Sequence, residues 1–144
     1  MRTGERNTPG AMKHHEEPRI DKIVEVLQGK KGIDILLMDL REISDVADYF
    51  VLCTGTSEQH VKSLADEVAQ SLKELGDAPW HTEGNDTRRW ILVDFVDIVV
   101  HVFRQEARDF YSLERLWGDA QCTEFADTWE PETRPRSPFE FTES

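Results

Sequence analysis

Cysteine is scarce in this chain. There are two in 144 residues, Cys53 inside an apolar run and Cys122 further on, and neither has a second cysteine at metal-binding spacing. A disulfide framework and a thiolate zinc site are thereby excluded, and a reducing cytosol is the expected setting. Long apolar runs are missing too: no stretch approaches the roughly eighteen residues that a membrane helix needs, and the charged N-terminus has no signal-peptide core. Basic residues are in deficit, with 17 Lys and Arg against 29 Asp and Glu, a net charge of −12. Such a chain repels a phosphate backbone and has no counterions to release, so direct nucleic-acid binding is not expected. It does attract basic partners, mainly by speeding encounter.

What is present is enough apolar sequence for one domain. With 38% hydrophobic residues, a chain of this length supports a single modest core. Residues 1–18 mix Gly, Pro, Asn and Thr around His14-His15 without apolar period and are read as a disordered segment. Residues 19–122 form the expected domain. Residues 123–144, with Pro131, Pro135 and Pro138 among acids, are read as a tail.

Inside the domain, Ile20, Ile23, Val24 and Leu27 follow helical spacing up to Gly29. Ile33 to Leu40 and Tyr49 to Thr54 are short apolar runs suited to strands buried on both faces. Val61, Leu64, Ala65, Val68, Ala69, Leu72 and Leu75 mark one face of a helix that Ser57 or Thr56 caps and Gly76 ends. A short strand at Trp80 to Thr82 leads through Gly84-Asn85-Asp86 to Trp90–Asp94, and Asp97 to Arg104 pairs with it antiparallel. A last helix is expected from about Ala107 to Trp117, with Phe110, Leu113 and Trp117 on one side and Tyr111 beside them. The order predicts a mixed α/β (α+β) fold with a sheet of about five strands and helices packed on it.

The chemistry on offer is thin. Thr54-Gly55-Thr56-Ser57 before a helix resembles an anion turn, yet a Walker loop needs a longer glycine-bearing span with a lysine and a dinucleotide fingerprint needs three spaced glycines. Asp94 and Asp97 stand three apart across a strand turn, and period-two alternation points them to opposite faces, which is poor geometry for magnesium. His101, in Ile98-Val99-Val100-His101-Val102-Phe103, has no nucleophile with a supporting motif, so a hydrogen-bonded structural histidine outweighs a general base. His81-x-Glu83 lacks the downstream cysteines of a zinc deaminase. No cofactor and no catalytic residue are expected. Arg88-Arg89-Trp90 gathers the residue types that dominate protein interfaces, although a buried tryptophan fits the pattern as well.

Asp48 to Ser57 followed by Gln59-His60-Val61, then Glu83-Gly84, Trp90-Ile91-Leu92-Val93-Asp94, Asp97 to Phe103, and finally Tyr111-x-Leu-Glu-x-Leu-Trp117-Gly-Asp-Ala120 together resemble the ribosomal silencing factor (RsfS, Iojap) family. The resemblance spans roughly Ile20 to Ala120. It departs at Gln59, where the family usually has arginine, at Val96, often glycine, and at Arg88-Arg89, usually a small residue and an acid. It implies a nucleotidyltransferase-like fold without metal-binding acids. It further implies a non-catalytic cytoplasmic factor, dimeric when free, that docks on ribosomal protein fourteen of the large subunit (uL fourteen) and blocks small-subunit joining. Matching positions make Trp90 and Leu92 the lead contacts, with Asp94, Arg88 and Arg89 less central. His101 and Phe103 are expected to mix scaffold and contact roles, and Tyr111 and Trp117 to be scaffold. Two rivals stand beside this reading: a nucleotide-binding enzyme using the Thr54 to Ser57 turn, and a homodimeric adaptor for another basic protein.

Overall fold

The computed structural model describes residues 17–126. Residues 1–16 and 127–144, and with them most of the two expected terminal segments, lie outside the described residues. Helix α1 (Pro18–Gly29) opens with proline at its first position and buries Ile20, Ile23, Val24 and Leu27, the spacing that predicted it. Strands β1 (Ile33–Asp39) and β2 (Tyr49–Gly55) follow, and every residue of β2 is buried. Helix α2 (Glu58–Glu74) begins at Ser57, whose hydroxyl accepts the His60 N–H. It ends in a Schellman turn: Gly76 adopts φ +90°, its N–H donates to the Lys73 carbonyl, and Asp77 N–H donates to that of Leu72.

Strands β3 (His81–Glu83), β4 (Trp90–Asp94) and β5 (Ile98–Arg104) come next, then the short helices α3 (Gln105–Tyr111) and α4 (Leu113–Leu116), and strand β6 (Gln121–Phe125). The sheet has six strands in the order β3-β4-β5-β2-β1-β6. Only β2 and β5 run parallel, and the other neighbours are antiparallel, so the sheet is mixed as expected. Its sixth strand was not. Thr123, Glu124 and Phe125, assigned above to the tail, pair with Leu37, Leu36 and Ile35 of β1. Without β6, β1 would be an open edge, and Phe125 supplies an apolar side chain to the core beside it. One large apolar residue in five gives no alternation, which is why the strand left no pattern.

One face of the sheet lies under α1 and α2, in a core that takes Ile35, Leu37, Val51, Cys53, Ile91, Val93, Val100 and Val102 from the strands. The second face is smaller and carries Leu36, Met38, Phe50, Leu52, Val99 and Phe103, covered in part by Ala107 of α3 and Leu113 of α4. Arg19 fastens the start of α1 to two distant loops, pairing with Asp97 at 2.6 Å and Asp77 at 3.0 Å as well as with Glu17 at 2.6 Å. Bonding to that guanidinium holds the Asp97 carboxyl below its ordinary value.

The β3–β4 hairpin turns on Gly84, at φ +93°, where an added Cβ would sit 2.0 Å from the Trp90 carbonyl oxygen. A backbone atom cannot swing aside, and L-residues are strained at that φ in any case. Gly84→Ala is therefore expected to push β3 off β4 at a cost on the order of 2 kcal/mol, read as a lowered denaturation midpoint.

Candidate docking surface

Alternation along β4 sorts its side chains. Ile91 and Val93 enter the core under α1 and α2, whereas Trp90, Leu92 and Asp94 turn to the other face and are half-buried. β5 lies beside it, with Trp90 opposite Phe103 and Leu92 opposite His101. The result is a continuous aromatic series across the less covered face. Trp117 meets Phe50 with centroids 6.2 Å apart, Phe50 meets His101 at 4.5 Å, His101 meets Trp90 at 5.7 Å, and Trp90 meets Tyr111 at 4.5 Å. Phe110 extends it outward, 5.0 Å from Tyr111.

The seven expected contact residues do not share one exposure. Trp90 and Leu92 stand at the surface with their flanks packed. Arg88 and Arg89 are exposed just before them. Arg88 adopts φ 60° and belongs to the hairpin turn, where its N–H donates to the Gly84 carbonyl and its Nε to that of Asn85. Asp94 at the far end of β4 caps the next turn by accepting the Val96 N–H at 2.7 Å. His101 and Phe103 lie beneath the surface, at 4% and 0% exposure. For those two the contact half of the expectation is corrected: they support Trp90 from below.

The opposite correction applies to α3. A single helix from Ala107 to Trp117 would have turned Phe110 inward, but Ser112 adopts a left-handed conformation, φ 49°, and splits it in two. The break changes the helical phase, so Phe110 is 79% and Tyr111 51% exposed while Leu113 stays buried. Trp117, half-buried against Phe50, keeps its scaffold role; Tyr111 both props the indole and meets solvent. Between α3 and β4 lies a groove of about 780 Å³ walled by Trp90, Tyr111, Phe110 and Arg89, with Glu58 and Glu106 at its margin. Arg108 is a residue that sequence reasoning passed over. It is buried and bonds the Asp34 carbonyl, the Thr54 hydroxyl and Glu114; nothing in its spacing marks it, because arginine is seldom inside.

His101 settles into the neutral form. Trp90 Nε1–H donates to its Nδ1 at 3.0 Å, so the ring proton resides on Nε2. Burial lowers its pKa to about 3, since charging an imidazole among aromatic rings forfeits hydration. A histidine held below its unfolded value of about 6.5 stabilises the fold above that pH and withdraws that stability as pH falls toward the folded value. Unfolding free energies from urea titrations between pH 7 and pH 4 are expected to fall as pH drops below about 6.5, with a slope that approaches about 1.4 kcal/mol per pH unit. His101→Phe should remove that slope.

The turn at residues 54–57 is occupied by its own helix. Thr56 N–H donates to His60 Nδ1 at 2.9 Å, and His60 Nε2 reaches the Lys30 carbonyl at 2.8 Å, tying the start of α2 to the end of α1. Asp94 and Asp97 are used separately, one in a turn and one by Arg19. Among the described residues no group of three or more His, Cys, Asp or Glu stands at metal-holding distance, and no helix is long and apolar enough to cross a membrane.

Comparison with known proteins agrees with this architecture. The crystal structure of a Chromobacterium violaceum protein has a TM-score of 0.69 at 36% identity, covering 74% of this chain and 88% of that one. A ribosomal silencing factor of Bacillus subtilis is 47% identical over 91 residues, 63% of this chain and 77% of the relative. The mouse protein named for mitochondrial assembly of the ribosomal large subunit is 33% identical over 101 residues, 68% of this chain and 44% of its own length. The model of the family described as "Ribosomal silencing factor during starvation" matches residues 13–143, and the chain belongs to that family.

Proposed function

We propose that this protein docks on the large ribosomal subunit, chiefly on its protein fourteen (uL fourteen), through the face centred on Trp90 and Leu92, and that its bulk there keeps the small subunit from joining. Translation is thereby damped under nutrient limitation, in the cytosol and without a chemical step. The observation that carries this reading is Trp90 itself: an indole half-buried on a sheet face that α3 and α4 cover only in part, flanked by exposed Tyr111 and Phe110. Rigid aromatic groups supply contact area at low entropic cost. Net charge −12 favours a basic ribosomal protein over bare RNA. The mouse relative, named for large-subunit assembly, supports the same subunit. A stable contact of this kind buries about 1,200 to 2,000 Å² in total, shared between the two partners. In the absence of ribosomes we propose a homodimer.

The test is sedimentation with purified bacterial subunits. The protein should travel with the large subunit and lower the yield of joined ribosomes when small subunits are added. Capture of basic non-ribosomal proteins with no large-subunit binding would favour the adaptor reading instead.

A further inference from the structure

A buried polar group normally has partners for all its hydrogen-bonding atoms, and His101 has them for only half. Nδ1 accepts from the Trp90 indole, while Nε2 is buried with no partner among the described residues. The ring lies between Phe50, with centroids 4.5 Å apart, and Phe103, at 6.0 Å. A phenylalanine would suit that space and carry no unmet donor of its own, although it would leave the Trp90 Nε1–H without its acceptor. For packing alone, then, histidine gains nothing over phenylalanine. What it supplies that phenylalanine does not is an acceptor for one specific group, the N–H of the half-exposed indole.

We infer that His101 is the positioning residue of the docking surface: by accepting the Nε1–H of Trp90 it holds the indole in its binding orientation before any partner arrives. The inference rests on the docking reading above and goes beyond it, since His101 itself is buried and touches no partner. Tyr111 packs on the same indole with centroids 4.5 Å apart, and Phe103 does so at 5.3 Å. Neither contact fixes which edge of the indole points inward, because ring packing is broad in angle whereas an N–H···N bond is directional. A partner that meets an indole already oriented avoids the entropic cost of ordering it.

The experiment uses the full chain, nitrogen-15 labelled at the indoles, as wild type, His101→Phe and His101→Asn. The Phe variant removes the acceptor and keeps the ring; the Asn variant sets an amide oxygen near the former Nδ1. In His101→Phe, the Trp90 indole resonance should shift and exchange faster with solvent. Affinity for large subunits should fall about three- to tenfold, the equivalent of one neutral hydrogen bond. Its melting temperature at pH 7 should stay within a few degrees of wild type, because removing the unmet Nε2–H offsets the loss of the indole's acceptor. In His101→Asn the resonance and most of the affinity should return, although the smaller side chain melts lower. Binding by His101→Phe equal to wild type, or affinities that track melting temperature across both variants, would overturn the inference. Wild-type protein that fails to sediment with large subunits sinks the docking reading instead, and the indole resonance of the free protein still decides whether His101 holds Trp90.

Discussion

Trp90→Ala is expected to fold and yet to lose more than about tenfold in affinity for the large subunit, since truncating a hot-spot residue costs roughly 2 kcal/mol or more. The indole is half-buried, so some stability goes with it: contacts to Phe103 and Tyr111 disappear, and His101 Nδ1 loses its donor. A control on the same strand separates the two effects. Ile91 is adjacent in sequence but fully buried under α1 and α2, and Ile91→Val should cost about 1 kcal/mol of stability while leaving subunit binding intact. Equilibrium sedimentation of both variants, each shown to be folded by circular dichroism, reads the outcome. Undiminished binding by Trp90→Ala would remove that residue from the interface.

The strand that presents Trp90 was legible in the sequence because its physics is local. Period-two alternation placed Trp90, Leu92 and Asp94 together, and the tight turn after Asp94 fixed its antiparallel pairing with the next strand. The α2 helix was legible for a similar reason, with a serine cap, apolar positions from Val61 to Leu72 on one face and a terminating glycine agreeing, although Leu75 stands past the helix end and is exposed. What escaped were features decided by tertiary context. β6 has a single large apolar residue and exists because β1 offers it an edge. The break at Ser112 uses a left-handed serine where glycine or asparagine would have announced it, and that break is what exposes Phe110 and Tyr111. The depth of His101 and Phe103 depends on Phe50 and Trp90 arriving from neighbouring strands. Resemblance named the surface; only packing separated the residues at its top from those beneath.

Arg108 is where the largest loss of stability is expected. Its Nη1 donates to the Asp34 carbonyl at 2.7 Å and to Thr54 Oγ1 at 2.8 Å, and its Nε to Glu114 at 3.0 Å, with 8% of its side chain exposed. One side chain from α3 thus gathers the irregular start of β1, where Asp34 adopts φ 52°, the end of β2, and α4. Arg108→Met keeps the apolar stem and removes the donors. The buried Thr54 hydroxyl and the part-buried Asp34 carbonyl then lose a charged donor, and the expected cost is about 3 kcal/mol, most of it at Thr54. In a domain of this size that lowers the melting temperature by roughly 10 to 20 °C. Glu114 contributes little to this figure, because its carboxylate is 39% exposed and can be hydrated; Glu114→Gln should shift melting by only a few degrees, on the order of a surface pair. Arg108→Lys should recover less than half of the loss, since an ammonium cannot serve three acceptors spread around a planar fork. Because α3 also carries Tyr111 onto the indole, Arg108→Met is expected to weaken subunit binding near its melting point and to restore it on cooling, whereas Trp90→Ala stays weak at every temperature. A melting temperature within about 2 °C of wild type for Arg108→Met, well under 1 kcal/mol, would mean that α3 is held in place by its apolar contacts alone.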